Sequence, residues 1–233
     1  MSISELRPDV PEGRSERELP LGGWSVFIDF DGTISTQDVG IHLLERLVAR
    51  RYEVIDARYE EGTIGSRQYV SELWRLLAGV DRDELLQVAR EVPLDPAFDA
   101  LVAFLESGGA QVTVVSDGLG FYVHDRLAGH DVAVRASQVD AEDLPVFPFG
   151  DPACPCGLCG TCKASPVREA RACGRRTAVV GDGTSDRFAA VEADLVFAKG
   201  RLVHWCRRDS IPYVPFAGLG DVLAAFRELA REQ

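Results

Sequence analysis

The chain has 233 residues, of which 46% are hydrophobic and 27% charged, and its formal net charge at pH 7 is -12. This length and composition predict one compact domain, or one domain with a sizeable insertion. The acidic balance argues against sequence-independent binding of nucleic acid, which relies on Lys and Arg contacts to phosphate, and against an anionic membrane surface.

The N-terminal segment, residues 1–22, is polar, charged and rich in proline and glycine. It lacks the apolar stretch of a signal peptide, and no other run reaches the roughly 18 apolar residues that a membrane-spanning helix needs. We therefore expect a disordered tail over 1–22, a cytoplasmic location and no membrane partner.

Five short apolar runs, rich in β-branched residues, follow this segment. Such runs are typical of strands that are buried on both faces of a parallel sheet. The predicted strands are 24–29, 111–115, 131–134, 177–180 and 195–198.

Helical spacing of apolar residues fills much of the remaining chain. Residues 36–92 carry three such stretches and no strand pattern, and further helices are predicted over 95–107 and 222–231. Strands that alternate with helices predict an α/β fold with a parallel sheet. We expect a Rossmann-like core built from 23–35 and 93–233, with a helical cap, 36–92, inserted after the first strand.

Three of the predicted strands end in acidic or hydroxyl residues. These are Asp29 and Asp31, then Ser116, then Asp182 and Asp186. Ligands of open α/β sheets bind beyond the carboxyl ends of the strands, so we expect these residues to converge on one crevice. Crowded carboxylates repel one another unless a cation lies among them, and oxygen ligands without His or Cys indicate Mg²⁺. A Mg²⁺ site beside a glycine-rich turn is typical of phosphoryl transfer, and Lys163 is a candidate to hold the phosphate.

Four segments resemble, in order, the motifs of the haloacid dehalogenase superfamily. They are 29–33 (DFDGT), 116–118 (SDG), Lys163 and 181–186 (GDGTSD). The helical block between the first two motifs resembles the cap of the subclass that contains the phosphoserine phosphatases. The resemblance implies a Rossmann-like core with an inserted cap. It also implies a hydrolase acting on phosphoric monoesters, with Mg²⁺ as cofactor and an aspartyl-phosphate intermediate.

Within that subclass the chain is similar to the 2-hydroxy-3-keto-5-methylthiopentenyl-1-phosphate phosphatases of methionine salvage. The similarity lies in DFDGTIS, in Asp38, and in a Cys-rich loop within 145–166. Leu73 stands near the place of the arginine with which phosphoserine phosphatases bind the substrate carboxylate, and Arg67 or Arg75 would need a different geometry. The expected substrate is a small phosphorylated metabolite. A ketose phosphate of methionine salvage, phosphoserine, a phosphocholine-like ester and other biosynthetic intermediates are the alternatives.

The resemblance assigns a role to each motif residue. Asp29 is the expected nucleophile, and Asp31 is the expected general acid for the leaving oxygen and then the base for water. The expected Mg²⁺ ligands are Asp29, Asp31 through its carbonyl oxygen, Asp182 and Asp186, the last through water. The residues expected to bind phosphate or substrate are Thr33, Asp38, Ser116, Asp117, Gly118 and Lys163. For Thr33 the alternative is a contact with turn amides, and for Asp38 it is the start of the first cap helix.

Four of the six cysteines lie in nine residues directly before Lys163. They are Cys154, Cys156, Cys159 and Cys162. Four thiolates suit a tetrahedral Zn²⁺, whereas their spacing is tight for one ion. Oxidisable thiols and disulfides are therefore alternatives to zinc. In each case we expect the loop to hold Lys163 in a fixed place.

Two alternatives from other functional classes fit parts of the sequence. One is a non-catalytic or regulatory protein that keeps the fold, which the intact pair of Asp29 and Asp31 argues against. The other is an interaction module that uses the Cys-rich loop for zinc or redox chemistry. We expect a monomer or a homodimer with no nucleic-acid partner.

Overall fold

The structure, a computed structural model, describes residues 20–48, 52–151 and 158–232. Most of the predicted tail, 1–19, lies outside these residues, as do Cys154 and Cys156. Within 20–22, Leu21 is fully buried and donates its N–H to the carbonyl of Gly108 at 2.8 Å. The packed part of the chain therefore includes residues that precede the first strand.

In this part of the chain, seven strands form one mixed sheet in the order β4-β3-β2-β1-β5-β6-β7. They are β1 (Trp24–Ile28), β2 (Gln111–Leu119), β3 (Ala133–Val139), β4 (Pro145–Val146), β5 (Arg176–Gly181), β6 (Leu195–Ala198) and β7 (Val214–Pro215). Pairing is parallel from β1 through β5 and β6 to β7, and antiparallel between β3 and β4. The predicted α/β class with a largely parallel sheet is confirmed.

Ten helices are described. They are α1 (Val39–Leu47), α2 (Glu53–Glu60), α3 (Ser66–Leu77), α4 (Arg82–Ala89), α5 (Phe98–Ser107), α6 (Gly120–Arg126), α7 (Ala164–Ala172), α8 (Arg187–Glu192), α9 (Gly200–Arg208) and α10 (Leu219–Arg231). The first four lie within residues 36–92, where three helical stretches were predicted. The additional helix arises because α1 and α2 are separate, a break that no glycine or proline marks in the sequence. None of the described helices has the length and apolar character to cross a membrane.

The chain divides into two compact units. The first consists of the described residues of Met1–Asp29, Asp95–Thr113 and Ala164–Gln233. Every residue of β1 is buried, and the ring of Phe226 on α10 packs edge-on against Trp24 with 6.0 Å between centroids. The ring of Phe197 on β6 also contacts the ring of Phe226, with 5.6 Å between centroids. Burial of each such aromatic side chain contributes about 2–3 kcal/mol to stability, which fixes the strands that carry the acidic residues.

The second unit consists of Phe30–Leu94 and Val114–Lys163. Two of its helices begin at capping carboxylates: Asp38 accepts the N–H of Ile41 at 2.8 Å at the start of α1, and Asp81 caps α4. One face of α3 is buried, and its Trp74 donates the indole N–H to the carbonyl of Asp143 at 2.8 Å. This hydrogen bond attaches α3 to the chain that follows β3.

The strands β2 and β3 differ from their predicted bounds. The chain stays extended through 116–118 to Leu119, although Ser-Asp-Gly is a typical turn sequence. The strand predicted over 131–134 begins two residues later and continues to Val139, so its buried centre is Ala136 and Ser137. In a short run that alternates apolar and polar residues, the sequence pattern does not show where the strand begins or ends.

Candidate active site

Two adjacent parallel strands of the first unit end in carboxylates. The strands β1 and β5 are paired with Ile28 opposite Val180. Asp29 follows β1 directly, and its N–H donates to the carbonyl of Val180 at 2.9 Å. Asp182 follows β5 directly. Strand direction and register therefore bring both carboxylates to the same edge of the sheet, beyond the strand ends.

Asp186 joins this edge through a tight turn. Its Oδ2 accepts the N–H of Asp182 at 3.2 Å and the N–H of Gly183 at 3.0 Å, and the residue is 1% exposed. A Cβ at Gly181 would lie 2.6 Å from that same oxygen, so glycine alone leaves room for it. The segment GDGTSD is thus folded so that the carboxylate of its last residue, Asp186, turns back onto the backbone N–H groups of Asp182 and Gly183.

The three carboxylates form one group. Carboxylate oxygens of Asp29, Asp182 and Asp186 lie within 4.8 Å of one another. Asp29 and Asp186 are buried and Asp182 is half-buried. Negative charges that are this close together and shielded from water raise the free energy of the folded protein unless a cation lies among them. A set of hard oxygen donors fits Mg²⁺. Asp29, Asp182 and Asp186 are three of the four residues that the sequence predicts as Mg²⁺ ligands.

Asp31 lies in a separate hydrogen-bond cluster within the second unit. It follows β1 in the turn Phe30–Ile34, where Gly32 has a φ of 74° that favours glycine. The Asp31 Oδ2 accepts from the hydroxyl of Ser116 at 3.2 Å and from that of Tyr122 at 3.1 Å. Its Oδ1 accepts the N–H of Val39 at 3.0 Å. Three donors from three segments therefore fix the orientation of this carboxyl.

The surroundings of Asp31 favour its protonated form. Burial, and to a smaller extent the nearby Asp38 carboxylate, raise the pKa of Asp31 from 3.8 to about 7. The hydrogen bonds from Val39, Tyr122 and Ser116 act in the opposite direction and do not offset the burial. A carboxyl with such a pKa gives and accepts protons near neutral pH, as a general acid and base must.

Gly118 completes this cluster because a side chain does not fit there. Its N–H donates to the hydroxyl oxygen of Ser116 at 2.9 Å. A Cβ at Gly118 would collide with the Tyr122 hydroxyl and with Oδ2 of Asp31. The structure therefore brings together Asp31, Ser116 and Gly118 as the motif spacing predicts.

The remaining residues predicted to bind substrate lie in the same unit. Thr33 is 1% exposed and Lys163 is 5% exposed. Lys163 interacts electrostatically with Asp38, which is exposed and caps α1. Asp38 thus has the helix-starting role that the sequence offered as one of two alternatives, and its contact with substrate stays a prediction. The carboxylate of Asp117 accepts hydrogen bonds from Ser66 and from the N–H of Thr161.

The structure gives no support for the predicted zinc site. Among the described residues, the group that could hold a metal is the acidic one, and it contains no cysteine. Cys162 is a buried thiol beside Lys163 and forms no disulfide. Cys154 and Cys156 lie outside the described residues, so half of the predicted ligand set is not described.

Two residues of these clusters were missed in the sequence. Tyr122 is the second hydroxyl donor to Asp31, and Ser66 is a donor to Asp117. Tyr122 stands four residues after Gly118, within the first turn of α6, and a search of the helix that follows the second motif would have found it. Ser66 carries no motif, since its contact depends on how α3 packs.

Comparison with known proteins agrees with the motif order. A family model described as haloacid dehalogenase-like hydrolase matches residues 26–190. A 2-hydroxy-3-keto-5-methylthiopentenyl-1-phosphate phosphatase of Bacillus mycoides (strain KBAB4) is 29% identical over 215 residues, which cover 88% of this chain and 96% of the relative.

Solved structures show the same fold. A phosphoserine phosphatase from T. onnurineus, in complex with NDSB-201, superimposes with a TM-score of 0.67 at 16% identity and covers 90% of this chain and 97% of its own. A phospho-aspartyl intermediate analogue of phosphoserine phosphatase gives a TM-score of 0.66 at 17% identity and covers 86% and 97%.

Proposed function

The chain belongs to the haloacid dehalogenase-like hydrolase family, and on that basis we propose that it is a Mg²⁺-dependent phosphatase of a small phosphorylated metabolite. The observation that carries the proposal is the group formed by Asp29, Asp182 and Asp186 beyond the ends of β1 and β5. The names of the relative and of the structural neighbours support phosphate-ester hydrolysis as the reaction class.

The proposed ligands of Mg²⁺ are the carboxylates of Asp29 and Asp182 and the carbonyl oxygen of Asp31, with the Asp186 carboxylate acting through water. When bound, the ion neutralises charge on the phosphate and on the carboxylates around it. This neutralisation is needed because the chain already carries a net charge of -12 and the substrate is a dianion. Without the ion, the three carboxylates would repel the phosphate dianion.

Asp29 is the proposed nucleophile. A carboxylate oxygen of Asp29 forms a bond to phosphorus while the bond from phosphorus to the ester oxygen breaks, which gives an aspartyl-phosphate. Water then attacks the same phosphorus, the bond to Asp29 breaks, and inorganic phosphate leaves. Division into two steps matters because phosphate monoesters are among the slowest compounds to hydrolyse unaided.

Asp31 is the proposed proton carrier for both steps. It gives its proton to the leaving ester oxygen in the first step and takes one from the attacking water in the second. The donors Ser116, Tyr122 and Val39 keep the carboxyl in one orientation. Fixed orientation reduces the reorganisation that each proton transfer requires.

The phosphoryl oxygens are proposed to be held by Lys163, by backbone N–H groups near Gly118 and by the Ser116 hydroxyl, which would turn from Asp31 to the phosphoryl group when substrate binds. Donors placed before the reaction stabilise charge as it develops on these oxygens. Lys163 supplies a full positive charge, and the chain contains one other lysine, Lys199.

The first candidate substrate is 2-hydroxy-3-keto-5-methylthiopentenyl-1-phosphate, the ester in the name of the relative with 29% identity. The position expected for a carboxylate-binding arginine carries Leu73, which is half-buried on α3. Arg67, on the same helix, lies over the ring of Phe147, with 5.3 Å from its Cζ to the ring centroid. These features argue against phosphoserine as the preferred substrate.

Phosphate release from a panel of esters tests the proposal. The panel contains a generic aryl phosphate, the ketose phosphate, phosphoserine and phosphocholine, each with Mg²⁺ and with EDTA. We expect Mg²⁺-dependent release by the wild type, none by Asp29→Asn, and retained release by Asp83→Asn, which changes an exposed carboxylate on α4. Release that persists in Asp29→Asn, or no release from any ester, would contradict the proposed reaction.

A further inference from the structure

The backbone just before Lys163 is held more tightly than a surface loop. Thr161 and Cys162 are 2% exposed and Lys163 is 5% exposed. The N–H of Cys162 donates to the carbonyl of Phe149 at 2.9 Å. A lysine side chain has four rotatable bonds, so the position of its ammonium depends first on a fixed backbone.

Two side chains far away in the sequence hold the residues before Lys163. The N–H of Gly160 donates to the hydroxyl oxygen of Ser66 at 2.9 Å. The N–H of Thr161 donates to Oδ1 of Asp117 at 3.0 Å, and the Ser66 hydroxyl donates to that same oxygen at 3.1 Å. Ser66 and Asp117 thus form one closed network with two successive backbone amides.

The packing around this network leaves little room for other arrangements. The N–H of Arg67 donates to the carbonyl of Leu158 at 3.0 Å. A Cβ at Gly65 would lie 2.5 Å from that carbonyl oxygen, and a Cβ at Gly160 would lie 3.0 Å from the ring of Phe147. The first turn of α3 therefore touches the segment 158–161 without a gap.

We propose that Ser66 and Asp117 are positioning residues that hold Lys163 in place for the phosphoryl group. The inference rests on the proposed function, in which Lys163 contacts the phosphoryl oxygens. It links α3, a helix of the predicted cap, to the end of the Cys-rich loop just before Lys163, through hydrogen bonds that the loop amides of Gly160 and Thr161 donate. In this role Asp117 acts as a hydrogen-bond acceptor for Ser66 and for the N–H of Thr161.

Acylation of Lys163 measures its placement without any need for turnover. Acetic anhydride is applied at low concentration with EDTA, and the two lysines are followed by peptide mass spectrometry, with Lys199 as internal reference. Ser66→Ala and Asp117→Ala should raise the acylation rate of Lys163 relative to Lys199 roughly tenfold, the change expected from loss of a hydrogen bond to a carboxylate.

Two matched variants separate positioning from other roles. Asp117→Asn keeps an oxygen that accepts both hydrogen bonds, so it should restore the wild-type rate. Ser71→Ala, on the same helix, removes a hydroxyl that donates to the exposed carbonyl of Arg67 and should also leave the rate unchanged. A wild-type rate in both Ser66→Ala and Asp117→Ala would overturn the inference. A rate in Asp117→Asn as high as in Asp117→Ala would do the same.

Protection by ligand distinguishes this inference from the proposed function. Inorganic phosphate with Mg²⁺ should slow acylation of Lys163 in the wild type and not of Lys199. No protection in the wild type would count against the phosphate contact of Lys163, and therefore against the proposed function. Protection in the wild type that is equally strong in Ser66→Ala and Asp117→Ala would count against the positioning role alone.

Discussion

Gly181→Ala is a sharp test of the turn that builds the acidic group. The new Cβ would lie 2.6 Å from Oδ2 of Asp186 and 2.9 Å from its Cβ, so the Asp186 side chain must move. That oxygen accepts the N–H groups of Asp182 and Gly183 at 3.2 and 3.0 Å. Because hydrogen bonds to charged groups are worth about 1.5–3 kcal/mol each, loss of both costs about 3 kcal/mol or more.

Gly183→Ala is the matched control for this substitution. A Cβ there would lie 3.6 Å from the same oxygen of Asp186, an ordinary contact, so we expect a change below about 1 kcal/mol. Urea unfolding in EDTA gives the free energy of unfolding of both variants, and calorimetric titration with Mg²⁺ gives their metal affinity. We expect Gly181→Ala to be less stable by about 3 kcal/mol and to bind Mg²⁺ more weakly by roughly tenfold or more. Equal stability and equal Mg²⁺ affinity of the two variants would refute the reasoning.

Substitutions at three further positions each give a separate prediction. The pKa of Asp31 is raised from 3.8 to about 7, so its neutral form favours the folded state at low pH, and stability falls as the pH rises between these values. In EDTA, wild type should lose about 2 kcal/mol more than Asp31→Asn between about pH 5.5 and pH 8, and parallel urea curves would contradict this. Phe226→Ala should cost about 3–5 kcal/mol because it empties the space between Trp24 and Phe197, and a loss below about 1 kcal/mol in urea unfolding would contradict that packing. Asp38→Ala removes the α1 cap and should lower the free energy of unfolding by about 1 kcal/mol, whereas Asp38→Asn should keep most of it; equal losses would show that the cap bond to Ile41 is not the cause.

The parallel strands β5 and β6 could be predicted because each is an almost continuous run of buried residues. The predicted strand 195–198 coincides with β6, and 177–180 differs from β5 by one residue at each end. All four residues of β6 are buried, as are five of the six in β5, so apolar composition alone marks them. Family membership followed from the motifs at the ends of the predicted strands, and the α/β class followed from strands that alternate with helices; both are confirmed.

Short elements could not be predicted because their signals are too weak to separate from loops. The strands β4 and β7 have two residues each, and α8 has six. On α9 the buried residues are Leu202 and Cys206, one helical turn apart, and two positions do not define a period.

The candidate site likewise contains residues that the sequence predicted and residues that it did not. Asp29, Asp182 and Asp186 were found because strand ends and spacing determine where they lie. The network of Ser66 and Asp117 was missed because it joins residues 51 positions apart, through packing that no local pattern encodes. Zinc, one of three alternatives for the Cys-rich loop, is not supported, and half of its ligand set lies outside the described residues.

The most direct test of the account is to locate phosphate covalently bound to the protein during turnover. The wild type is mixed with a labelled ester and Mg²⁺, quenched in acid, reduced with borohydride and analysed by peptide mass spectrometry. Borohydride converts an aspartyl-phosphate to homoserine, so the modified position can be read from the peptide. We predict homoserine at position 29, and none when Mg²⁺ is replaced by EDTA. Phosphate bound to another residue, or Mg²⁺-dependent turnover by the Asp29→Asn variant, would contradict the central claim that Asp29 is the nucleophile.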